Sequence, residues 1–553
     1  MDDAHFDAWT RRRFGLAGSS ALAALLGLRA LAEVSAATSG KCQPQCGECE
    51  RCDRGKCRKR KHGKKRCKRG RCKPLADGSP CAGGTCQAGS CNAQPPNDLP
   101  DIIVINVDDM RQSDYRALSR TTAALGGQGV SFPNYFMTTP LCGPSRSTLF
   151  RGQYAHNHGV LTNSGQNGGW PAFHDSGDDQ DTIATWLRGA TPSYRTAHIG
   201  KYLNGYQAKR GRVAPGWSDW FVPTPVAFYD YTLNANGSPE PHGSARRDYL
   251  TDVLAEKART VIATTPATTP LFLYFAPKAP HGPAIPARRH IGAFANQPLD
   301  QGDSFNEADL SDKPAYLQRP LLTAEDIAKL EQTNRDRLES LLAVDEAVAD
   351  IVDALQQAGR LERAYLFFVT DNGFLLGQHR RTAKQVPYEE AIRMAMLARG
   401  PGIAAGSTNS AMVANIDLAP TIAELAGVAT PGFVDGRSFA PILGGAISSR
   451  QAILIEGFSG AETDPEEVAA ARVLPGQQGA PTYQAIRTAD RLYVEYRTAE
   501  RELYDLIVDP DELESRHDDP AYAAEAQRLS AWLAALEACS GPACRTAEDQ
   551  PPV

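Results

Sequence analysis

Four apolar runs along the chain end in polar residues of distinctive chemistry. They are "YRTAHIGKY" (194–202), "PLFLYFAPKAPHGP" (270–283), "AYLFFVTDNG" (364–373) and "DIIVINVDD" (101–109). A short continuous apolar run, rather than an alternating one, predicts a strand buried on both faces, as in a parallel sheet. Helical periodicity lies between them. "RDRLESLLAVDEAVADIVDALQQAG" (335–359) carries apolar residues at three- and four-residue steps and stops at a glycine. Strands alternating with helices predict an α/β sandwich with a mostly parallel central sheet and ligands at the C-terminal strand ends. From about residue 440, "QAILIEGF", "YQAIRTADRLYVEY" and "ELYDLIVDPDE" predict a smaller C-terminal antiparallel subdomain. A helix is expected over 520–538.

The ends of the chain add to this picture. The 553 residues, 42% hydrophobic and 22% charged, suit a soluble globular protein of two or three domains. The net charge of −5 is uneven, because Lys and Arg crowd residues 41–73. "TRRRFGLAGSSALAALLGL" sets Arg11, Arg12 and Arg13 before an Ala/Leu-rich run, and "VSA" (Val34 to Ala36) offers a cleavage site. Residues 1–36 therefore predict a twin-arginine-type signal peptide and an export translocon as partner. A membrane anchor is the alternative. The run is short and broken by Arg29 and Glu33, so no stable span is expected after removal. The expected location is periplasmic, cell-surface or secreted, and nucleic acid is not among the expected partners.

The 13 cysteines divide into ten between Cys42 and Cys91, two at Cys539 and Cys544, and Cys142. In an exported chain the even groups predict disulfides, five in a basic cysteine-rich module (41–92) and one in the tail (539–553). Zinc at "CGECERC" is the alternative. The module's charge suits either polyanion binding or a solvated spacer. A linker (93–99), a catalytic domain (100–445) and the C-terminal subdomain (446–538) complete the division. Cys142 is left over, which asks for a reactive role.

The strand ends offer Asp108, Asp109, Lys201, His281, Asp371 and Asn372. Three carboxylates and an amide oxygen suit a hard dication, Ca²⁺ or Mg²⁺. Either "DD" or "TDNG" alone would read as a loop or turn. Their repetition after buried-strand patterns points to a site.

"CGPSRSTLFRG" (142–152) resembles the sulfatase signature, a cysteine followed by Pro two places on and Arg four places on. "GKYLNGY", "DYLTDVLA", "APHGP", "TDNG", "KQVPYEEAIR" and "VANIDLAPTIAELAG" resemble, in order, the N-acetylglucosamine-6-sulfatases and related extracellular glycan sulfatases. The resemblance spans roughly residues 100–445 and implies the alkaline-phosphatase-like fold. It implies that a formylglycine-generating enzyme oxidises Cys142 to formylglycine, so that this cysteine is converted rather than paired. It further implies that Asp108, Asp109, Asp371 and Asn372 bind Ca²⁺ together with residue 142. Arg146 would hold that residue, Lys201 and Lys384 would grip sulfate, and His281 would sit by the leaving group. His158 and His379 are additional pocket candidates. Many arylsulfatases carry His two places after the signature lysine, where this chain has Leu203, so the base for the last step is left open.

The expected function is an exported sulfuric ester hydrolase acting on sulfated carbohydrate. One hydroxyl of a hydrated aldehyde would attack sulfur, and the other would expel sulfate. A phosphonate or phosphate monoester hydrolase of the same superfamily, and an inactive polyanion-binding surface protein, are the alternatives.

Overall fold

In the computed structural model the chain forms two units, residues 1–97 with 266–268, and the remainder. The structure describes residues 99–207, 211–459, 474 and 479–551, with short strands between 50 and 93. The expected signal peptide, most of the linker and the pairing of the ten clustered cysteines lie outside the described residues. In the first unit Glu50–Asp53 pairs antiparallel with Arg71–Pro74, and Cys57–Lys59 with Lys65–Cys67. A three-stranded piece runs from Pro80 to Ala93.

The second unit is built on a mixed sheet. Its strands are β1 (Asp101–Val107), β2 (Val130–Phe136), β3 (Arg195–Gly200), β4 (Asp219–Thr224), β5 (Tyr231–Ala235) and β6 (Ser238–His242). They continue with β7 (Leu271–Ala276), β8 (Ala364–Thr370), β9 (Arg393–Arg399), β10 (Ser407–Thr408) and β11 (Val413–Ala414). The order is β6-β5-β4-β3-β7-β1-β8-β9-β2-β10, with β11 also on β2. The run β4-β3-β7-β1-β8 is parallel throughout. β5, β6 and β9 join antiparallel. Every residue of β1 and β7 is buried, which is why their sequences are unbroken apolar runs.

The helices that frame the site are α1 (Cys142–Arg151), α2 (Leu250–Thr264), α3 (Ala324–Gln357) and α4 (Leu418–Leu425). α3 starts eleven residues before the apolar periodicity does. Its first turns are polar and carry no core stripe. A reciprocal cap fixes the start instead: the Thr323 hydroxyl accepts from the Asp326 N–H, and the Asp326 carboxylate accepts from the Thr323 N–H.

The tail forms an antiparallel sheet, β12 (Ala452–Gly457), β13 (Tyr483–Thr488), β14 (Arg491–Tyr496) and β15 (Arg501–Asp505), in that order. α5 (Ala523–Glu537) packs on it, followed by α6 (Pro542–Asp549). A disulfide joins Cys539 to Cys544. The small sheet shares an apolar core with the larger domain, where Tyr388 and Ile392 meet Ile453, Tyr493 and Trp532. No helix among the described residues is long and apolar enough to cross a membrane.

Gly200 closes β3 with φ of 120°, and a β-carbon there would lie 2.0 Å from the Ala276 carbonyl oxygen of β7. Only glycine lets the two strand ends approach this closely, and the next residue is Lys201. We predict that Gly200→Ala lowers stability by about 2 kcal/mol or more, because neither backbone can yield. Chemical denaturation checks this, and an unshifted midpoint would contradict it.

Candidate active site

The ends of the parallel strands converge. β1 delivers Asp108 and Asp109, β8 delivers Asp371 and Asn372, β3 delivers Lys201, and the loop after β7 delivers Lys278 and His281. Lys384 follows a hairpin of Leu375–Leu376 with Thr382–Ala383. Cys142 is the first residue of α1, so its side chain sits at the helix N-terminus, the positive end of the dipole. All ten residues of α1 are buried.

Cys142 is buried and lies in no disulfide. Its Sγ lies 3.4 Å from Asp108 Oδ1 and 3.9 Å from Asp109 Oδ1. Lys384 Nζ is 2.9 Å from Sγ and 2.7 Å from Asp109 Oδ1. Lys201 Nζ donates to Asp108 Oδ2 at 2.7 Å. Arg146, one turn along α1, donates from Nε to Asp371 Oδ2 at 2.8 Å and from Nη1 to the Lys201 carbonyl at 3.0 Å. Its Nη2 stands 3.7 Å from Asp108 Oδ1. Asn372 Nδ2 donates to Asp109 Oδ1 at 2.7 Å. His281 Nδ1 donates to the Gly282 carbonyl at 2.7 Å, which turns Nε2 toward Asp109 Oδ2 at 3.6 Å.

Charge balance governs this cluster. Burial alone would raise Asp108, but Lys201, His281, Arg146 and Lys384 outweigh it and hold its carboxyl well below the usual range. Asp371 is pushed up to about 6 by burial and then by Asp108, against the pull of Arg146. Burial and the Asp108 charge push the Cys142 thiol well up, so the unmodified side chain is a protonated, weak nucleophile. Two buried oxygens, Asp109 Oδ2 and Asn372 Oδ1, have no hydrogen-bond partner. Buried oxygens in that state are costly unless a cation or water meets them. With Asp108 and Asp371 they form an all-oxygen donor set that fits a hard dication. Ligand atoms of Asp108, Asp109, Cys142 and His281 all lie within 4.8 Å of one another.

A family model described as "Sulfatase" matches residues 100–428, and one described as "N-sulphoglucosamine sulphohydrolase, C-terminal" matches 377–538. The chain belongs to the sulfatase family. This sulfatase is 32% identical over 479 residues to N-acetylglucosamine-6-sulfatase of Capra hircus, covering 81% of this chain and 85% of the relative. It is 34% identical over 346 residues to a putative extracellular sulfatase Sulf-1 homolog of Caenorhabditis elegans, covering 61% of this chain and 48% of the relative. A protein solved in complex with its substrate D-glucosamine-2-N,6-O-disulfate shares the fold. Its TM-score is 0.65 at 24% identity, over 79% of this chain and 97% of its own. The chain is a sulfuric ester hydrolase with the alkaline-phosphatase-like fold.

The sequence-derived residues Asp108, Asp109, Cys142, Arg146, Lys201, His281, Asp371, Asn372 and Lys384 thus meet in one cluster. His158 and His379 bond elsewhere. His158 Nδ1 accepts from the Val160 N–H at 3.1 Å, so Nε2 donates to Thr148 Oγ1 of α1 at 3.0 Å. His379 Nδ1 meets Glu307 at 2.6 Å. Leu203 is buried in the apolar core.

Sequence reasoning missed three supports. Arg337 on α3 donates to the Asp109 carbonyl and to Asp114, holding Asp109 at a left-handed φ of 63°. Its signal was an arginine at a core-facing position of an apolar helix. Lys278, with Nζ 3.4 Å from His281 Nδ1, sat in plain view as a lysine inside "FAPKAPH". Asn163 accepts from the Gly143 N–H at 2.7 Å, tying the turn that precedes the helix Gly169–Asp175 to the head of α1. No rule of spacing exposes that contact.

Burial, then Arg151 and His156, depress His158 to about 3. The unfolded chain therefore binds a proton near pH 6.5 that the folded chain refuses. Stability is lost as pH falls from about 6.5 toward 3, by up to about 1.4 kcal/mol per pH unit for this group. We predict that His158→Gln makes the stability–pH slope between pH 4 and 6 shallower by up to one proton. Denaturation at stepped pH checks it, and an identical slope would contradict it.

Proposed function

We propose that this sulfatase releases sulfate from the 6-position of N-acetylglucosamine-type sugars outside the cytoplasm. It uses a formylglycine made from Cys142 beside a bound Ca²⁺ or Mg²⁺. The observation that carries the reading is the setting of Cys142. It opens a buried helix, bears Pro144 and Arg146 at the signature offsets, and touches both Asp109 and Lys384. Its protonated thiol is a poor attacker, which favours a modified side chain over thiolate chemistry. Named relatives at 32% identity support the sugar, and the extracellular relative supports export.

Asp108, Asp109, Asp371 and Asn372 would hold the cation, which when bound favours an alkoxide and opposes charge on the sulfuryl oxygens. Hydrated formylglycine supplies two hydroxyls on one carbon, one to attack sulfur and one to release sulfate, where serine has a single hydroxyl. The remaining work falls to side chains already in place. Lys201 and Lys384 hold ammonium groups against Asp108 and Asp109, ready to exchange a carboxylate for a sulfate oxygen. Such preorganised donors are typically worth ~10²- to 10³-fold each. Arg146 offsets the charge of Asp371 and Asp108 while bracing the Lys201 backbone.

His281 is the proton donor to the leaving oxygen. Its Nδ1–H is held by the Gly282 carbonyl, so Nε2 is the atom that carries the mobile proton. Asp109 Oδ2 stands 3.6 Å from that nitrogen. With Leu203 buried and apolar, the last deprotonation has no histidine at that position to use.

Sulfate release from a panel of 6-O-, 4-O-, 2-O- and N-sulfated sugars, alongside nitrophenyl sulfate and phosphate, tests this reading. The expected result is preference for 6-O-sulfated glucosamine over the other sulfated sugars, and for the sulfate over the phosphate ester. Cys142→Ser is expected to fold and to lose multiple turnover. Faster phosphate or phosphonate release would favour the superfamily alternative. Near-wild-type turnover by Cys142→Ser would overturn the nucleophile.

A further inference from the structure

A second cluster of ligand atoms lies apart from Cys142, where the large domain meets the turn after β15. A ring nitrogen of His379, a carboxylate oxygen of Glu390 and one of Glu512 lie within 4.8 Å of one another. His379 is 0% exposed and Glu512 is 1% exposed. Each residue uses its other polar atom. His379 Nδ1 is 2.6 Å from Glu307 Oε2, Glu390 Oε1 accepts from the Ser304 hydroxyl at 3.1 Å, and Glu512 Oε2 accepts from the Glu389 N–H at 2.9 Å. What remains is His379 Nε2, Glu390 Oε2 and Glu512 Oε1. All three are buried, and none has a hydrogen-bond partner.

The chemistry of these atoms defines the ligand they suit. His379 Nδ1 faces Glu307 Oε2 at 2.6 Å, and a carboxylate oxygen there accepts, so the ring donates its proton from Nδ1 to Glu307. Nε2 then presents a lone pair, and the two carboxylate oxygens present theirs. Three acceptors facing one another in a buried space repel unless a metal cation or a shared proton stands between them. One imidazole nitrogen with two carboxylates is a borderline-hard set suited to a first-row dication. A ring whose far nitrogen donates to a carboxylate is the arrangement that orients metal-bound histidines.

We propose that His379, Glu390 and Glu512 form a second, structural metal site that takes a Zn²⁺-like dication. It pins the loop running to Lys384 against the C-terminal subdomain. His379 lies five residues before Lys384, and Glu512 lies just beyond β15, so the ion staples the lysine-bearing loop to the small sheet. The site is separate from the all-oxygen set at Asp108, Asp109, Asp371 and Asn372, and it stands whatever the enzyme's substrate proves to be.

The test is Zn²⁺ uptake by the full chain, stripped with chelator and then held in excess Ca²⁺ to occupy the oxygen-rich site. Bound Zn²⁺ is counted by elemental analysis after equilibrium dialysis. The wild type is expected to retain one more Zn²⁺ per chain than His379→Ala or Glu512→Gln. Glu307→Gln, which touches only the far side of the ring, is expected to loosen that ion by ~10- to 100-fold. Comparing variants with the wild type cancels uptake by other groups, including the clustered cysteines. If His379→Ala fails to fold by circular dichroism, the near-isosteric Glu512→Gln carries the comparison. Equal Zn²⁺ content in the wild type and a folded variant would overturn the proposal and leave a cluster that shares protons instead.

Discussion

The structure turns on the neutralisation of three carboxylates that the sheet drives into its own interior. Asp108, Asp109 and Asp371 sit at the ends of adjacent parallel strands and are almost fully buried. Isolated, such charges would be too costly to desolvate. Lys201, Lys384 and Arg146 each make a short contact with one of them. Those cations come from the end of β3, two places along the sheet from β1, from a distant hairpin and from the second turn of α1. The requirement for charge balance therefore gathers, at one point, segments that are far apart in the chain. On the proposed reading, the same requirement also suits the site to a sulfate ester. Ammonium groups that pair with carboxylates also pair with sulfuryl oxygens.

The balance is left incomplete on one side. Asp109 Oδ2 and Asn372 Oδ1 have no hydrogen-bond partner, and Asp371 is pushed upward by burial and by Asp108. Asp109 is held at a positive φ by Arg337 rather than relaxing away. A fold that spends backbone strain to leave an oxygen without a hydrogen bond suits a ligand there. The histidine and glutamate cluster around His379 repeats the pattern with a softer donor set.

Much of this was legible in the chain. The four apolar runs became β1, β3, β7 and β8 because a strand covered on both faces leaves no room for polar alternation. Their terminal residues, from Asp108 to Asn372, were readable as a site because polar groups at such strand ends have nowhere to go but the crevice. Arg146 and Lys384 were reached through resemblance, since nothing in their local pattern distinguishes them. The edge strands β5 and β6 and the first turns of α3 were not legible. Their residues are polar or half-exposed, and pairing or a cap, not periodicity, defines them. His158 and His379 drew attention as histidines near motifs, yet a histidine's neighbours depend on packing that a spacing rule does not encode.

The account's central claim is that the buried oxygens are arranged around a hard cation. Calorimetric titration of Ca²⁺ into chelator-stripped protein measures this most directly, with Asp371→Asn as the comparison. The account predicts one Ca²⁺ per chain for the wild type and its loss in the folded variant. A wild-type protein that binds neither Ca²⁺ nor Mg²⁺, yet still releases sulfate, would contradict it.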